Sequence, residues 1–260
     1  MGMSVNTNVG AMLALQNLNK SNKMLETTQL HITTGLKVNG PKDDAATYAI
    51  AQRMRGDIAG MGAVKTALSN GEATVNVAIT AGKAVADMLT EMKAKTVQAN
   101  QAGLDTASKD ALQNDFTSLR DQLTTIVQTA EFNGKNLITS TATSLTVLST
   151  VDGSTISVAA QKLDTTTLGI NASNISSGAS AALVAIDAAI NTVTSSLASM
   201  GSSSKRIDVQ SEFTVQLVDI LKEGVGNLVD ADLAEESAAL QSLQIKQQLG
   251  VQALSIANSG

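Results

Sequence analysis

Hydrophobic residues recur every three or four positions over long stretches at both ends of the chain, with polar residues between them. Near the C-terminus one row runs from Leu183 to Met200, resumes at Ile207 and continues to Leu228. This 3.5-residue repeat is typical of helices that lie along one another. Because the N-terminal third carries matching rows, we predict that the chain folds back and pairs its beginning with its end.

The first predicted helix lies within residues 1–38. Its apolar row has seven-residue spacing and consists of Leu18, Leu25 and Ile32, with Met12 and Leu15 leading into it. Pro41 then begins a second predicted helix, since proline suits the first helical turn and acidic residues suit the positive N-terminal end. This helix extends to about Gln101 and carries two apolar rows, so we expect it to contact two partners.

The middle of the chain changes its pattern. A third helix is predicted from Leu112 to Ala130, where apolar residues recur in steps of four and three. Asn133-Gly134 after it is a turn signal. Apolar and polar residues alternate on both sides of Asp152-Gly153, and this pattern predicts a β-hairpin within residues 139–158. The polar residues 164–180 predict an exposed connection.

Helical periodicity returns from about Ser180 to Glu223, and we expect Gly224 and Gly226 to loosen the helix. A last helix is predicted from Asp230 to Ala257 and is apolar on two sides. One side carries Leu233, Leu240, Leu243 and Leu254, and the other carries Ile245, Leu249 and Ile256.

These patterns together predict a mainly α fold, a long antiparallel bundle or coiled-coil rod with a small β-hairpin in the middle. We predict that the N-terminal row pairs with Leu233, Leu240 and Leu254. The second C-terminal row would be exposed to water in a single chain, and such a patch usually marks an interaction site.

Composition narrows the possible functions. The chain of 260 residues is 43% hydrophobic but only 2% aromatic, which suits helix seams built from aliphatic side chains. It has no cysteine and therefore no disulfide or thiolate chemistry. A net charge of −5, without a basic stripe, argues against a nucleic-acid surface. No uninterrupted apolar run reaches membrane-spanning length, and the N-terminus lacks a secretory signal pattern, so we expect any export to use another route.

No group of residues forms a recognisable catalytic or metal-binding pattern. His31 is the single histidine and is expected to be a surface or partly packed residue. The acidic residues around Asp230 lack the alternating ligands and central glycine of a calcium loop, and they suit a helix N-terminus. We therefore expect no cofactor, no metal and no enzymatic activity. The residues 139–180 are rich in hydroxyl groups and offer sites for O-linked sugars if they are exposed.

Four parts of the chain carry motifs in a fixed order. They are Thr33–Ala46 followed by Ala49–Arg55, the turn Phe132-Asn133-Gly134, residues 205–213 and residues 230–258. In that order they resemble the N-terminal signature, the turn before the hairpin, a C-terminal helix motif and, closely, the terminal helix of bacterial flagellins. The motif positions carried over are Lys42, Asp43, Asp44, Arg53, Arg206, Asp230, Asp232 and Glu235.

The resemblance implies a structural subunit that polymerises into the flagellar filament for swimming motility. It implies a terminal helical domain, 1–44 plus 230–260, that forms the filament core, and a rod domain, 45–229, with the hairpin. It also implies export through the flagellar type III channel with an export chaperone, an extracellular location, and contacts with further copies and with hook-associated and cap proteins. Neither a nucleic acid nor a membrane is an expected partner.

The chain departs from the family pattern at three places. Pro41 stands where the family usually has a small polar residue, and residues 139–180 leave no room for large outer domains. In flagellins detected by the vertebrate Toll-like flagellin receptor, the contact patch includes an arginine and a leucine on the first long helix. The resemblance aligns Glu91 and Lys95 with them.

Three other functions are compatible with long helices. A hook–filament junction protein shares the terminal helices, but the acidic motif at Asp230 and the short middle favour a flagellin. An enzyme carried in the variable region would need a metal-ligand or nucleophile group within residues 139–180, where none is recognisable. A stand-alone coiled-coil scaffold would not polymerise end to end.

Overall fold

The computed structural model describes residues 8–259, and within that range the chain forms five helices and two short antiparallel strand pairs. In chain order the elements are α1 (Val9–Thr34), α2 (Ala45–Ala99), α3 (Thr106–Thr129), β1 (Glu131–Phe132), β2 (Lys135–Asn136), β3 (Leu145–Leu148), β4 (Thr155–Val158), α4 (Ile175–Val229) and α5 (Leu233–Ser259). The predicted mainly α fold with a hairpin in the middle is confirmed.

The chain divides into two compact units. One unit comprises Met1–Ala59 and Val218–Gly260, and the other comprises Gly60–Leu217. We call them the terminal unit and the central unit, and each is described by itself.

In the terminal unit, α1 and α5 pack against each other. Asn8 caps the start of α1 by accepting a hydrogen bond from the Ala11 backbone N–H, and Gly35 ends the helix in the left-handed conformation at φ 71°. A second small core lies next to Gly35. Its buried members are Val38, Ala51, Val225 and Val229.

The connection from α1 to α2 is tied to the connection from α4 to α5 in this unit. Leu36 and Asp230 form an antiparallel bridge. The Ala231 N–H donates to the Gly35 carbonyl at 2.9 Å, and the Lys37 N–H donates to the Val229 carbonyl at 2.8 Å. The backbone at this end of the α1–α5 pair is therefore held by hydrogen bonds.

In the central unit, one continuous core joins residues of α2, α3, α4 and the hairpin β3–β4. Its largest fully buried side chains include Leu68, Leu89, Phe116, Leu123 and Ile186. The hairpin lies close to α2, since a Cβ at Gly71 would be 2.5 Å from Val147 Cγ2. Asn133 and Gly134, both with positive φ, form the tight turn between β1 and β2.

Three boundaries differ from the prediction. Residues 41–44 form a turn and α2 begins at Ala45, because the Asp43 carboxylate accepts hydrogen bonds from the Asn39 and Gly40 N–H groups instead of entering the helix. The helix α4 begins at Ile175 with a kink at Gly178, earlier than predicted. It also continues through Gly224 and Gly226 to Val229.

The predicted exposed connection 164–180 is wrong in part. Leu168, Ile170 and Ile175 are buried in the central core, as is Leu163 just before them. The Leu163 N–H donates to the Ile138 carbonyl at 2.9 Å, so the segment is held against the end of the first small hairpin. Isolated apolar residues among polar ones gave no periodicity that could reveal this burial.

Among the described residues, α4 meets a length-and-composition test for a membrane span, with an 18-residue window of mean hydropathy 1.4. Alanines raise this mean hydropathy, while Asp187 and Asn191 interrupt the apolar run, so the run is not continuous. Of that window, 28% is buried within the chain. One such helix is weak evidence, since a core helix of a soluble protein passes the same test.

Candidate assembly surface

The contact between α1 and α5 is an antiparallel heptad seam. The less exposed positions of both helices alternate in steps of three and four residues. On α1 these are Ala11, Ala14, Leu18, Ser21, Leu25, Thr28 and Ile32, and on α5 they are Glu236, Leu240, Leu243, Gln247, Gly250, Leu254 and Ala257. Gly250 permits a close approach of the two helices, because a Cβ there would lie 3.2 Å from Leu18 Cδ1.

Polar side chains cross the seam at three levels. His31 Nδ1 and Glu236 Oε1 are 2.7 Å apart, with exposed side-chain fractions of 15% and 19%. The Gln247 amide donates to Asn22 Oδ1 at 2.9 Å, and the Asn8 amide donates to the Ala257 carbonyl at 2.7 Å. These contacts fix which residues of the two helices face each other. The expectation of a partly packed histidine agrees with this position of His31.

The structure places the predicted seam residues as follows. Leu18, Leu25, Ile32, Leu240 and Leu254 are half-buried. Leu243 is buried, whereas Leu233 is 52% exposed at the beginning of α5. The geometry therefore brings most of the two predicted rows together and leaves Leu233 at the edge.

The second predicted row of α5 is exposed to solvent. Ile245 is 58% exposed, Leu249 is 57% exposed and Ile256 is 72% exposed. The three residues lie on the side of α5 that faces away from the seam, because 3.6 residues complete one helical turn. The α1–α5 pair therefore buries one row of α5 and presents another.

A groove beside the seam was not expected from the sequence. It has a volume of about 530 Å³ and is lined by Met12 and Leu15 of α1 and Val251 and Leu254 of α5, among others. Met12 is 64% exposed and Leu15 is 48% exposed, so the prediction that they lead into the Leu18 row is wrong. Counting back from Leu18 in heptad steps gives Ala14 and Ala11 instead, and these small residues leave the groove open.

Two acidic motif residues accept hydrogen bonds from backbone N–H groups at helix starts. Asp44 Oδ1 accepts hydrogen bonds from the Ala46 and Thr47 N–H groups at the start of α2. Its hydrogen bond with the Thr47 hydroxyl, together with these N–H groups, holds the pKa of Asp44 below its usual value. Asp232 Oδ1 accepts from the Ala234 and Glu235 N–H groups at the start of α5, as expected for acids at a helix N-terminus.

The remaining motif residues lie on the surface. Lys42, Arg53, Arg206, Asp230 and Glu235 are exposed. Asp230 also takes part in the bridge to Leu36 through its backbone.

The two residues aligned with the receptor patch lie on α2 in the central unit. Lys95 Nζ forms a 2.7 Å ion pair with Asp115 Oδ2 of α3. This hydrogen bond, with the charge of Asp115, raises the pKa of Lys95. Glu91 is exposed one turn before it.

Among residues 8–259, no group of three or more histidine, cysteine, aspartate or glutamate residues is placed to hold a metal ion. The features that the chain presents are exposed apolar faces and the polar contacts that position them.

Comparison with known proteins identifies both ends of the chain. The family model described as the bacterial flagellin N-terminal helical region matches residues 5–143, and the model of the bacterial flagellin C-terminal helical region matches residues 183–260.

Curated relatives match over nearly the full length. Flagellin FljM of Caulobacter vibrioides is 48% identical over 258 residues, which cover 98% of this chain and 94% of the relative. Flagellin FljK of the same organism is 47% identical with the same coverage. Flagellin C of Rhizobium meliloti is 35% identical over 311 residues, covering 98% of this chain and 96% of the relative.

Solved structures show the same fold. Bacillus cereus flagellin matches with a TM-score of 0.51 and 21% identity, covering 56% of this chain and 86% of that chain. A flagellar hook-associated protein from Vibrio parahaemolyticus matches with a TM-score of 0.60 and 15% identity, covering 72% of this chain and 100% of that chain. At these identities the structural matches inform on the fold alone.

Proposed function

The chain belongs to the bacterial flagellin family and is a structural subunit of the flagellar filament, and from this premise we propose that the α1–α5 pair forms the innermost layer of the polymer. The hook-associated function is not favoured, because the named relatives of high identity are flagellins. This proposal assigns residues 1–44 and 230–260 to the filament core and residues 45–229 to the surrounding rod.

The observation that carries the proposal is the exposed row of α5. A Leu or Ile side chain gains about 1.5 to 3 kcal/mol from full burial. In the single chain Ile245 and Leu249 lack more than half of this stabilisation, because more than half of each side chain is exposed to water. Adjacent subunits that cover this row would recover the loss, and a contact between two different faces of the subunit permits an open helical polymer.

The polar contacts of the seam support the same assignment. The pairs His31–Glu236 and Asn22–Gln247 hold α5 against α1 from two levels of the seam. They fix the rotation of α5 about its own axis, so the row containing Ile245 and Leu249 points outward in every copy. A regular polymer needs such a constant orientation.

We also propose the partners and location that family membership suggests. The subunit is exported through the flagellar type III channel with the help of an export chaperone, assembles outside the cell, and meets hook-associated and cap proteins at the filament ends. Its role is structural rather than enzymatic. The relatives named as flagellins support this part of the proposal.

The proposal is tested by placing charge on the exposed row. We expect Ile245→Asp with Leu249→Asp to abolish seeded filament growth, because each buried carboxylate would lack a partner at the subunit contact. The matched control is Gln244→Asp with Gln248→Asp, which adds the same charge to the same helix on exposed residues of a different side. Electron microscopy and light scattering measure growth.

The control variant should form filaments at nearly the normal rate, and both variants should keep native helicity by circular dichroism. Growth of the Ile245→Asp, Leu249→Asp variant at the normal rate would show that this row does not face a neighbour. Failure of the unmodified chain to elongate from seeds would contradict the filament function itself.

A separate proposal concerns innate recognition. We propose that the chain activates the vertebrate Toll-like flagellin receptor weakly, because Glu91 and Lys95 replace an arginine and a leucine of the contact patch. Lys95 is engaged by Asp115, so contact with an apolar partner surface would require it to lose an ion pair and be desolvated. A receptor reporter cell line should respond more strongly to the Glu91→Arg, Lys95→Leu variant. An equal response to both chains would refute the proposal.

A further inference from the structure

All the sulfur of this chain is in methionine. The sequence has nine methionines and neither cysteine nor tryptophan. Cysteine and methionine are the side chains that peroxides oxidise, and their susceptibility depends on exposure to solvent. The thioethers are therefore the most readily oxidised groups of this protein, and the position of each one in the fold decides whether it reacts.

The methionines differ widely in exposure. On α1 of the terminal unit, Met12 is 64% exposed and Met24 is 47% exposed. In the central unit, Met92 and Met200 are buried in the core. A dissolved peroxide therefore reaches Met12 and Met24 before the methionines of the core. The other methionines within residues 8–259 are half-buried: Met54, Met61 and Met88.

Met12 lies in the groove beside the α1–α5 seam, whereas Met24 is not among the residues that line it. We call this groove of about 530 Å³ the seam groove. Among the described residues that line it, Ser255 supplies the only polar side chain. The seam groove is therefore an apolar surface in which Met12 is a prominent and oxidisable part. Its lining consists of Ala11, Met12 and Leu15 of α1 and Val251, Leu254 and Ser255 of α5.

Oxidation would change the chemistry of the seam groove. When hydrogen peroxide reacts with a thioether, a sulfur lone pair forms a bond to one peroxide oxygen, the O–O bond breaks, and the second oxygen leaves as water with both protons. The sulfur is oxidised to a sulfoxide and the peroxide is reduced to water. The sulfoxide oxygen is a hydrogen-bond acceptor, and its burial against apolar side chains costs free energy unless a donor meets it. A surface that covers the unmodified groove would fit the oxidised groove poorly.

We propose that Met12 is an oxidation-sensitive site that controls assembly. A peroxide converts Met12 to the sulfoxide in the free subunit, and the oxidised subunit no longer joins the polymer. In the filament, the neighbouring subunits that cover the terminal pair protect Met12 from the same reaction. The block is reversible, because methionine sulfoxide is reduced enzymatically. This inference rests on the filament function of the chain and on the place of the α1–α5 pair in its innermost layer.

The direct test compares the unmodified chain with Met12→Leu and Met24→Leu before and after oxidation. Leucine keeps an apolar side chain of similar volume and has no sulfur. Met24→Leu is the matched control, because it also removes an exposed methionine of α1 but one outside the seam groove. Free subunits are treated with dilute hydrogen peroxide, which catalase then removes. Mass spectrometry of peptides measures the sulfoxide at each methionine, and electron microscopy with light scattering measures seeded growth.

We expect Met12 and Met24 of the unmodified chain to be oxidised well before Met92. Oxidised subunits of the unmodified chain and of Met24→Leu should elongate seeds several-fold more slowly than untreated ones. Oxidised Met12→Leu subunits should keep the rate of the untreated variant. Normal growth of the oxidised unmodified chain, or equal slowing of both oxidised variants, would overturn the proposal. Failure of untreated, unmodified chains to elongate would instead contradict the filament function.

Enzymatic reduction gives a test that needs no substitution. Oxidised unmodified subunits are treated with the two stereospecific methionine sulfoxide reductases and a thiol reductant, which has no disulfide to reduce in a chain without cysteine. Subunits in which Met12 has been reduced should recover most of the normal growth rate, with unchanged helicity by circular dichroism. Growth that stays slow after the reduction of Met12 would overturn the proposal.

A third measurement tests the protection of Met12 in the polymer. Filaments and free subunits are exposed to hydrogen peroxide for the same time, and an added methionine-containing peptide reports the dose in each sample. Met12 should be oxidised several times more slowly in filaments than in free subunits. Equal rates of oxidation would show that neighbours do not cover the seam groove, and would overturn the proposed control of assembly.

Discussion

The terminal pair and the central unit are built from the same heptad pattern but differ in how completely they bury it. In the central unit, the rows on α2, α3 and α4 close on one another, and large side chains such as Leu89, Phe116 and Leu123 are fully buried. In the α1–α5 pair, most seam residues remain half-buried. Two helices alone cannot cover a helix that is apolar on more than one side.

The choice of residues in the terminal seam reinforces this difference. Alanine, serine, threonine and glycine occupy several seam positions of α1 and α5, so the helices approach closely but bury little apolar area. Apolar side chains such as Leu13, Met24 and Val251 are exposed instead. In the single chain, the central unit therefore buries a large apolar core, whereas the terminal pair leaves much of its apolar surface exposed.

The two regions should differ most in how much the truncation of one side chain lowers the free energy of unfolding of the monomer. Leu89→Ala should lower the free energy of unfolding of the monomer by about 2 to 5 kcal/mol, because it leaves a cavity in the central core. Leu249→Ala, at an exposed position, should change it by less than about 0.5 kcal/mol. Urea unfolding followed by circular dichroism measures both, and similar losses would remove the distinction between the regions.

A smaller difference in stability is expected between alanine substitutions at two glycines of α2. A Cβ at Gly71 would overlap Val147, whereas a Cβ at Gly62 meets nothing within 4 Å. We expect Gly71→Ala to destabilise the monomer by about 1 to 3 kcal/mol. Gly62→Ala should stabilise it by about 0.5 to 1 kcal/mol, because alanine favours helix. Thermal unfolding of the two variants would contradict the described packing of the hairpin if both shifted in the same direction.

The smallest expected effect is a pH dependence at the start of α3. The hydrogen bonds of Asp105 with Ser108 lower its pKa from the usual 3.8. A carboxylate with a lowered pKa stabilises the fold above pH 3.8, and this contribution is lost as the pH falls through the folded-state value. Unfolding midpoints of the unmodified chain and of Asp105→Ala should therefore differ at neutral pH and converge in acid. A difference that stays the same as the pH is lowered into acid would exclude this cap as its source.

Much of the helical and hairpin structure of both regions was predictable from the periodicity of apolar residues. The rows containing Leu18 and Leu25, the two-sided character of α5 and the hairpin at Asp152-Gly153 were all predicted, because each follows from a repeat or a turn signal. These signals report which residues share a face of one element.

The sequence did not predict which residues meet across the seam. The contact of Asn22 with Gln247 depends on the relative rotation and axial position of two helices, and neither residue differs in type from its exposed neighbours. Burial of Leu168 and Ile170 was missed because it depends on the path of an irregular segment. The groove beside the α1–α5 seam was missed because a small residue such as Ala11 carries no signal of concavity.

Hydrogen exchange of the backbone amides, compared between monomer and filament, tests most directly the claim that neighbours complete the terminal pair. Opening of a helix costs more free energy when its exposed rows are covered. We predict that amides of α1 and α5 exchange about tenfold or more slowly in filaments, equivalent to ~1.4 kcal/mol or more. Amides of the central core around Leu89 and Leu123 should change far less. Equal slowing in both regions, or none in α1 and α5, would contradict the account.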